Sequence, residues 1–325
     1  MAHSRLRSFA ALAAKVLISA ALIAFALRGV DSAKVVEHIA RVDVAVIAFA
    51  VVVFTCVAFL HARRWENILA RMEHRISYAG ALRLILIGYF FNQTLPSSVG
   101  GDAYRAWGVY KHGIHAGNAI ASVIVDRVFA LLALGIMIGA GAWWLFDIVR
   151  DPMARAAVIA ASAGAIGGFT FLLVLPRFAT LLERWRATRL VLRVAEGSRA
   201  VLRSPAATLE VLLLTAAGFA VTSYVVYLLS QGMGVPLSMG YALLFIPLVT
   251  LVTILPISIA GWGLRESAMV VSLGLIGVPA AQAFSISVLF GLVIMASGVP
   301  GGLLWLAARK HKPAADSVEP AEDVR

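Results

Sequence analysis

Residues Asn92 to Arg105 read N-Q-T-L-P-S-S-V-G-G-D-A-Y-R, and residues Leu255 to Arg265 read L-P-I-S-I-A-G-W-G-L-R. Aligned at an offset of 160 residues, the two share the Leu-Pro pair, a Ser (Ser98 and Ser258), a Gly (Gly101 and Gly261) and the Arg (Arg105 and Arg265). Each is a polar, breaker-rich segment in the middle of an apolar region. Proline disfavours the helical conformation at the residue before it, and glycine permits a tight return. The regions 78–116 and 239–277 therefore cannot be simple membrane spans.

The surrounding chain fixes the setting. Its 325 residues are 61% apolar and only 14% charged, whereas soluble domains carry about 25% charged residues. This is the composition of an all-α polytopic membrane protein. Six runs have the roughly 20 residues needed to cross a hydrocarbon core about 30 Å thick: 8–27, 43–62, 118–146, 154–175, 207–230 and 281–307. The first resembles a signal peptide, but its length and Lys15 favour an uncleaved span. The net charge of +11 sits in short patches flanking the apolar runs. Such patches report topology and contact with anionic lipid at the cytoplasmic face, and argue against nucleic acid as a partner. The single cysteine, Cys56, rules out a disulfide framework or a Cys-based metal site.

Cytoplasmic loops carry the excess of Lys and Arg, which decides how the broken regions lie. Arg5 and Arg7 precede the first run, and Arg63, Arg64, Arg71 and Arg75 follow the second. Seven Arg lie between Arg177 and Arg203, and Arg309, Lys310 and Lys312 follow the last run. These segments, and both termini with them, are expected to be cytoplasmic. Parity then makes 78–116 leave by the face it enters, and 239–277 do the same from the other side. The expected fold is six full spans plus two re-entrant helical hairpins in an inverted-topology repeat. The first repeat is 1–147. The second is 148–310, including a basic cytoplasmic segment at 177–206 in which Leu181, Trp185 and Leu192 are apolar, and 311–325 reads as a disordered cytoplasmic tail. Inverted repeats build transport sites between their halves from discontinuous helices. The tips are expected to meet in the interior near the midplane, because irregular backbone at that depth must be enclosed by protein or line a watery cavity.

In the first tip, Pro96 ends the incoming helix, and Gly100 and Gly101 allow the return. The outgoing helix should start near Gly101 or Asp102, with Ser97 and Ser98 close by, and the positive end of such a helix is an anion site. Arg105 lies on the same face as Asp102, one turn along, and its planar fork suits a phosphate. The second tip repeats the scheme with Pro256, Ser258, Gly261, Gly263 and Arg265, followed by Glu266. Asp126 and Arg127 lie inside the third span, where a charge costs at least about 2.5 kcal/mol, and are expected to point inward and be paired. Asp102 with Arg105 and Arg265 with Glu266 also fit purely structural ion pairs. His112 and His115 read as interfacial residues and Gly135 with Gly139 as a close helix contact. The run Gly298, Pro300, Gly301, Gly302 fits either a gate hinge or a static kink.

Three segments, F-F-N-Q-T-L-P-S-S-V-G-G-D-A-Y-R, D-R-V-F-A-L-L-A-L and L-P-I-S-I-A-G-W-G-L-R-E, resemble the signatures of the lysylphosphatidylglycerol synthase transmembrane region family, whose members are described as flippase-like. The resemblance covers essentially the whole chain. It implies that the family's polar positions fall on Asn92, Pro96, Gly100, Gly101, Asp102, Arg105, Asp126, Arg127, Pro256, Ser258, Gly261, Arg265 and Glu266. Three departures bear on local geometry: Asp126 stands where Glu is usual, Ala260 where Gly is common, and Ser267 where Gly is frequent. Members that transfer aminoacyl groups carry a soluble synthase domain after the membrane part, which is not expected here.

The resemblance further implies a translocator of the bacterial inner membrane that moves an anionic or zwitterionic lipid through a central polar site. Candidate substrates are a modified phospholipid, a polyprenyl-phosphate-linked glycolipid or a hopanoid. It would be neither an enzyme nor cofactor-dependent. A homo-oligomer or a lipid-synthesising partner enzyme stays open. The alternative is a polytopic enzyme, or an accessory subunit, acting on lipid-linked substrates, although no loop shows a positioned nucleophile or a metal-ligand set.

Overall fold

The computed structural model describes residues 16–25, 31–95, 99–178, 186–254 and 258–310. Pro96, Ser97, Ser98, Leu181, Trp185, Pro256, the tail 311–325 and the ends of the 8–27 run lie outside the described residues. The described residues form helices without strands. In chain order these are α1 (Val16–Phe25), α2 (Ser32–Ala40), α3 (Val44–Arg71), α4 (Tyr78–Thr94), α5 (Gly100–Lys111), α6 (Ala116–Ile148) and α7 (Pro152–Val174). They continue with α8 (Arg186–Leu202), α9 (Pro205–Gly232), α10 (Met239–Thr253), α11 (Leu264–Gly274), α12 (Ala280–Ser297) and α13 (Val299–Lys310). Five segments are long and apolar enough to cross a membrane: α3, α6, Pro152–Arg177, α9 and the continuous pair Ala280–Ala308.

Most helix starts are written locally. Side-chain acceptors cap the first backbone N–H groups from Asp31, Asp43, Ser77, His115, Asp151, Ser204 and Ser238, as expected where four donors lack intrahelical partners. Two boundaries differ from the sequence reading. Helix α3 runs nine residues past position 62, to Arg71, because its apolar stripe continues through Ala58, Ala62, Trp65 and Leu69, all completely buried. The segment between the first two expected spans contains the amphipathic helix α2, whose Val35 packs on Phe284 of α12.

The bundle is built around α3, α6, α9 and α12. Helix α9 runs antiparallel to α3: Gly232 lies against Val42 and Val46, and Gly218 against Val57 and His61. Helices α6 and α7 approach closely where a β-carbon on Gly135 would meet Ala165 and one on Gly139 would meet Ser162, as the small-residue spacing predicts. Helix α8 turns Leu192, Val194, Ala195 and Val201 inward and packs on α6 and α7, with Arg199 donating to the carbonyl of Leu173. At Gly298 the last span passes from α12 into α13, and Gly298, Gly301 and Gly302 lie directly against Phe90 and Leu86 of α4. These glycines let α13 lie close against α4.

Two helical pairs interrupt the long spans. Helices α4 and α5 pack antiparallel, Gly88 against Gly101 and Leu84 against Gly108, and α10 and α11 form the second pair. They lie at opposite ends of α6. Helix α5 leads directly into its start, whereas α10 begins against Trp144 at its far end.

Candidate functional site

The first tip depends on a backbone-to-backbone approach. A β-carbon on Gly101 would collide with the carbonyl of Gly88 and with Asn92 Oδ1, so only glycine lets α5 lie this close to α4. Asn92 Oδ1 then accepts from the Gly101 N–H at 2.9 Å. The start of α5 is therefore not bare at Gly101, as the helix-end anion site would require. Asn92 caps it from across the hairpin.

Seated in this way, α5 directs Asp102 and Arg105 at α6. Arg105 Nη2 donates to Asp126 Oδ2 at 2.9 Å, and Arg64 Nε donates to Asp126 Oδ1 at 2.7 Å. Arg105 Nη1 reaches Asp102 Oδ1 at 3.3 Å. Arg127 grips the same carboxylate with two bonds, Nε to Oδ2 at 2.9 Å and Nη2 to Oδ1 at 3.1 Å. The result is one alternating chain, Arg64, Asp126, Arg105, Asp102, Arg127. It is anchored by Arg64 Nη1 on Thr215 Oγ1 at 3.1 Å and by the Arg105 guanidinium 4.2 Å over the Trp65 ring. Beside it the Tyr89 hydroxyl pairs with His61 Nδ1 at 2.8 Å. Arg64, Arg105 and Asp126 are buried, and Arg105 Nε has no hydrogen-bond partner among the described residues. Three guanidinium groups meet two carboxylates in this chain, which leaves one positive charge in excess.

Asp126 and Arg127 were expected to face inward together. Only Asp126 does, and each pairs with other residues. Successive helical side chains point about 100° apart, so with Asp126 buried the Arg127 side chain is 47% exposed at the edge of the bundle.

The second tip is tighter. Ala260, Gly261 and Gly263 all have positive φ, at 48°, 79° and 84°. Ala260 thus adopts the left-handed conformation that glycine would take more easily. Glu266 closes the turn, accepting from the Gly263 N–H at 2.5 Å, from Arg265 Nη2 at 2.7 Å and from Ser287 Oγ at 3.2 Å. The Arg265 guanidinium lies 4.7 Å over Trp262 and against Gly291. Helix α1 covers this turn, with Ser19 Oγ accepting from the Ile259 N–H at 3.0 Å and Ser267 Oγ donating to the carbonyl of Leu22. Ser258 is buried, and its Oγ has no hydrogen-bond partner among the described residues.

Arg105 and Arg265 share no hydrogen-bond or ion-pair partner. Phe290, next to the Gly291 that faces Arg265, packs on Phe54 of α3. Arg64 lies ten residues further along α3, or about 15 Å at the helical rise of 1.5 Å per residue. The two charge clusters thus sit at different levels of the bundle.

A profile of the family described as Lysylphosphatidylglycerol synthase TM region matches residues 12–301. The chain belongs to that family. A search of curated proteins finds no match. As a lysylphosphatidylglycerol synthase TM region protein, with several long apolar helices, it is a multi-pass membrane protein that acts on lipids.

Within this family member, the structure gathers Asn92, Gly100, Gly101, Asp102, Arg105, Asp126 and Arg127 around the first tip, and Ser258, Gly261, Arg265 and Glu266 around the second. His112 bonds back to the Gly108 carbonyl, and His115 caps α6. Arg64, Trp65, His61, Tyr89 and Thr215 join the first cluster without having been singled out. The signal for the α3 residues was the apolar periodicity running past Leu60, which keeps positions 61, 64 and 65 within the bundle.

Proposed function

We propose that this protein is a lipid translocator of the bacterial inner membrane, working without a catalytic reaction, in which the first charge cluster receives an anionic headgroup. The observation that carries this reading is the surplus positive charge of the Arg64–Asp126–Arg105–Asp102–Arg127 chain, which ends on an exposed guanidinium. Uncompensated charge within a membrane-spanning helix is costly. A phosphate at Arg127 would balance it, and a guanidinium binds phosphate through two parallel N–H donors. Arg265 is already matched by Glu266, so the second cluster is a weaker resting point for an anion.

The two hairpins at opposite ends of α6 support re-entry from the two faces and an inverted repeat dividing near 147. Asp126 is ten residues from the start of α6 and 22 from its end, which places the cluster nearer the end where the basic loops lie. Loading then occurs from the cytoplasmic leaflet, with both termini on that side. Exchange between states open to one leaflet and the other carries the headgroup across.

Purified protein in phosphatidylglycerol-containing liposomes should move a fluorescent phospholipid between leaflets. Arg127→Gln, which alters an exposed side chain and spares the buried pairs, should slow it about tenfold or more, one lost charge-assisted bond amounting to roughly 1.5–3 kcal/mol. Unchanged flux in that variant, with the protein folded, would remove the cluster from the transport path.

A further inference from the structure

We infer that the apolar groove between α6 and α7 seats one acyl chain of the lipid whose headgroup lies at Arg127, an inference that rests on the translocator reading. The groove has a volume of about 350 Å³, with Val128 and Leu131 of α6 on one wall, Phe169 of α7 on another, and Leu251 of α10 at its edge. Among the described residues, no charged or polar side chain lines it. Its floor is glycine: a β-carbon built on Gly164 or Gly168 would meet nothing within 4 Å.

Position and length identify the occupant. Val128 follows Arg127 directly, and Leu131 lies one turn along the same face as Arg127, so the groove begins beside the exposed guanidinium. The α7 lining runs from Ala160 to Leu172, about 18 Å at 1.5 Å per residue, close to the roughly 15 Å hydrocarbon depth of one leaflet. A single lipid therefore meets cationic and apolar elements in the order of its own headgroup and chain. A helix of a second copy would fill the groove but leave the surplus positive charge of the cluster unbalanced. Lipid tails elsewhere in the bilayer are equally apolar, so the groove contributes room and placement rather than hydrophobic driving force.

The open floor supplies the test. Gly164→Leu and Gly168→Leu add bulk to the groove from positions where a β-carbon meets nothing within 4 Å, and both remove a helix-weakening glycine, so the variants should fold. Gly167→Leu is the control, since Gly167 is equally open but does not line the groove. Each would be placed in nanodiscs with phosphatidylglycerol carrying a diazirine near the end of one chain, photolysed and mapped by mass spectrometry. Labelling should fall at the end of the groove away from Arg127, on α7 around Ala160 and Ala161, in the wild type and in Gly167→Leu. It should drop about tenfold in the two filled variants, the effect of an overpacking penalty of ordinary size, and lipid flux should drop with it.

Unchanged labelling and flux in both filled variants would overturn the groove assignment while leaving the translocator reading intact. Groove labelling that Gly164→Leu removes, in a protein that moves no lipid, would uphold the groove and sink the translocator. A change in oligomeric state on filling the groove, with labelling elsewhere, would replace the acyl chain by a second copy.

Discussion

Arg63 and Arg64 are adjacent, yet helix phase gives them different roles. Arg63 is solvent-facing, bonded to Glu66 at 3.0 Å and Glu210 at 2.8 Å. Arg64 is buried on Asp126. Exposed ion pairs contribute about 0–1 kcal/mol, whereas removing one partner of a buried pair costs about 3–5 kcal/mol. Arg64→Ala should therefore lower the unfolding midpoint in detergent far more than Arg63→Ala, and equal shifts would contradict the buried pair. Counting Lys and Arg by loop treats the two residues alike, so this distinction was invisible to it. Arg105 and Asp126 stood out because they interrupt apolar runs. Arg64 did not, because it lies just past position 62, where the expected span ends.

At the scale of single elements, the hairpins were legible from their breakers, and the start of α5 falls within a residue or two of its expected place. What was not legible is how each tip satisfies itself. Asn92 reaches across nine residues to Gly101, and Ser19 reaches across the chain to Ile259; neither contact has a local sequence signature. The tips make contrasting predictions. Gly101→Ala places a methyl group on the Gly88 carbonyl and should destabilise the protein by roughly 1–3 kcal/mol, as overpacking does, measured as a lower unfolding midpoint. Ala260→Gly relieves a left-handed alanine and should be neutral or mildly stabilising, whereas Ala260→Val puts a β-branched residue at positive φ and should destabilise. If valine were tolerated as well as glycine, the left-handed turn would be wrong.

For the whole molecule, apolar length and charge bias sufficed to find the five long spans and the all-helical class. They did not show that the two arginines belong to separate clusters, because alignment of the repeats carries no information about depth. The orientation can be checked directly. Arg193 of α8 lies against His115 and Gly117 at the start of α6, so Lys111, just before that start, shares an end of the bundle with α8, while Arg150 lies at the other. Single cysteines at these two positions, in a Cys56→Ser background, should react with an impermeant reagent from opposite faces of sealed vesicles. Labelling of both from one face would overturn the arrangement.

The alternating charges of the first cluster have a consequence for electrical tightness. Asp102 occupies the Nε–Nη2 edge of the Arg127 guanidinium, so a phosphate that takes this edge must displace the carboxylate. On the translocator reading, a lipid headgroup thus arrives as a competitor of an internal carboxylate, held in place by its own chains while the exchange occurs. A small inorganic anion has no such tether, and a small cation meets guanidinium groups first. On the translocator reading, a charged headgroup can accordingly pass without the protein becoming an ion leak. Asp102→Asn, which removes the internal competitor, should raise chloride permeability in vesicles holding a potential, while the parent protein keeps them sealed.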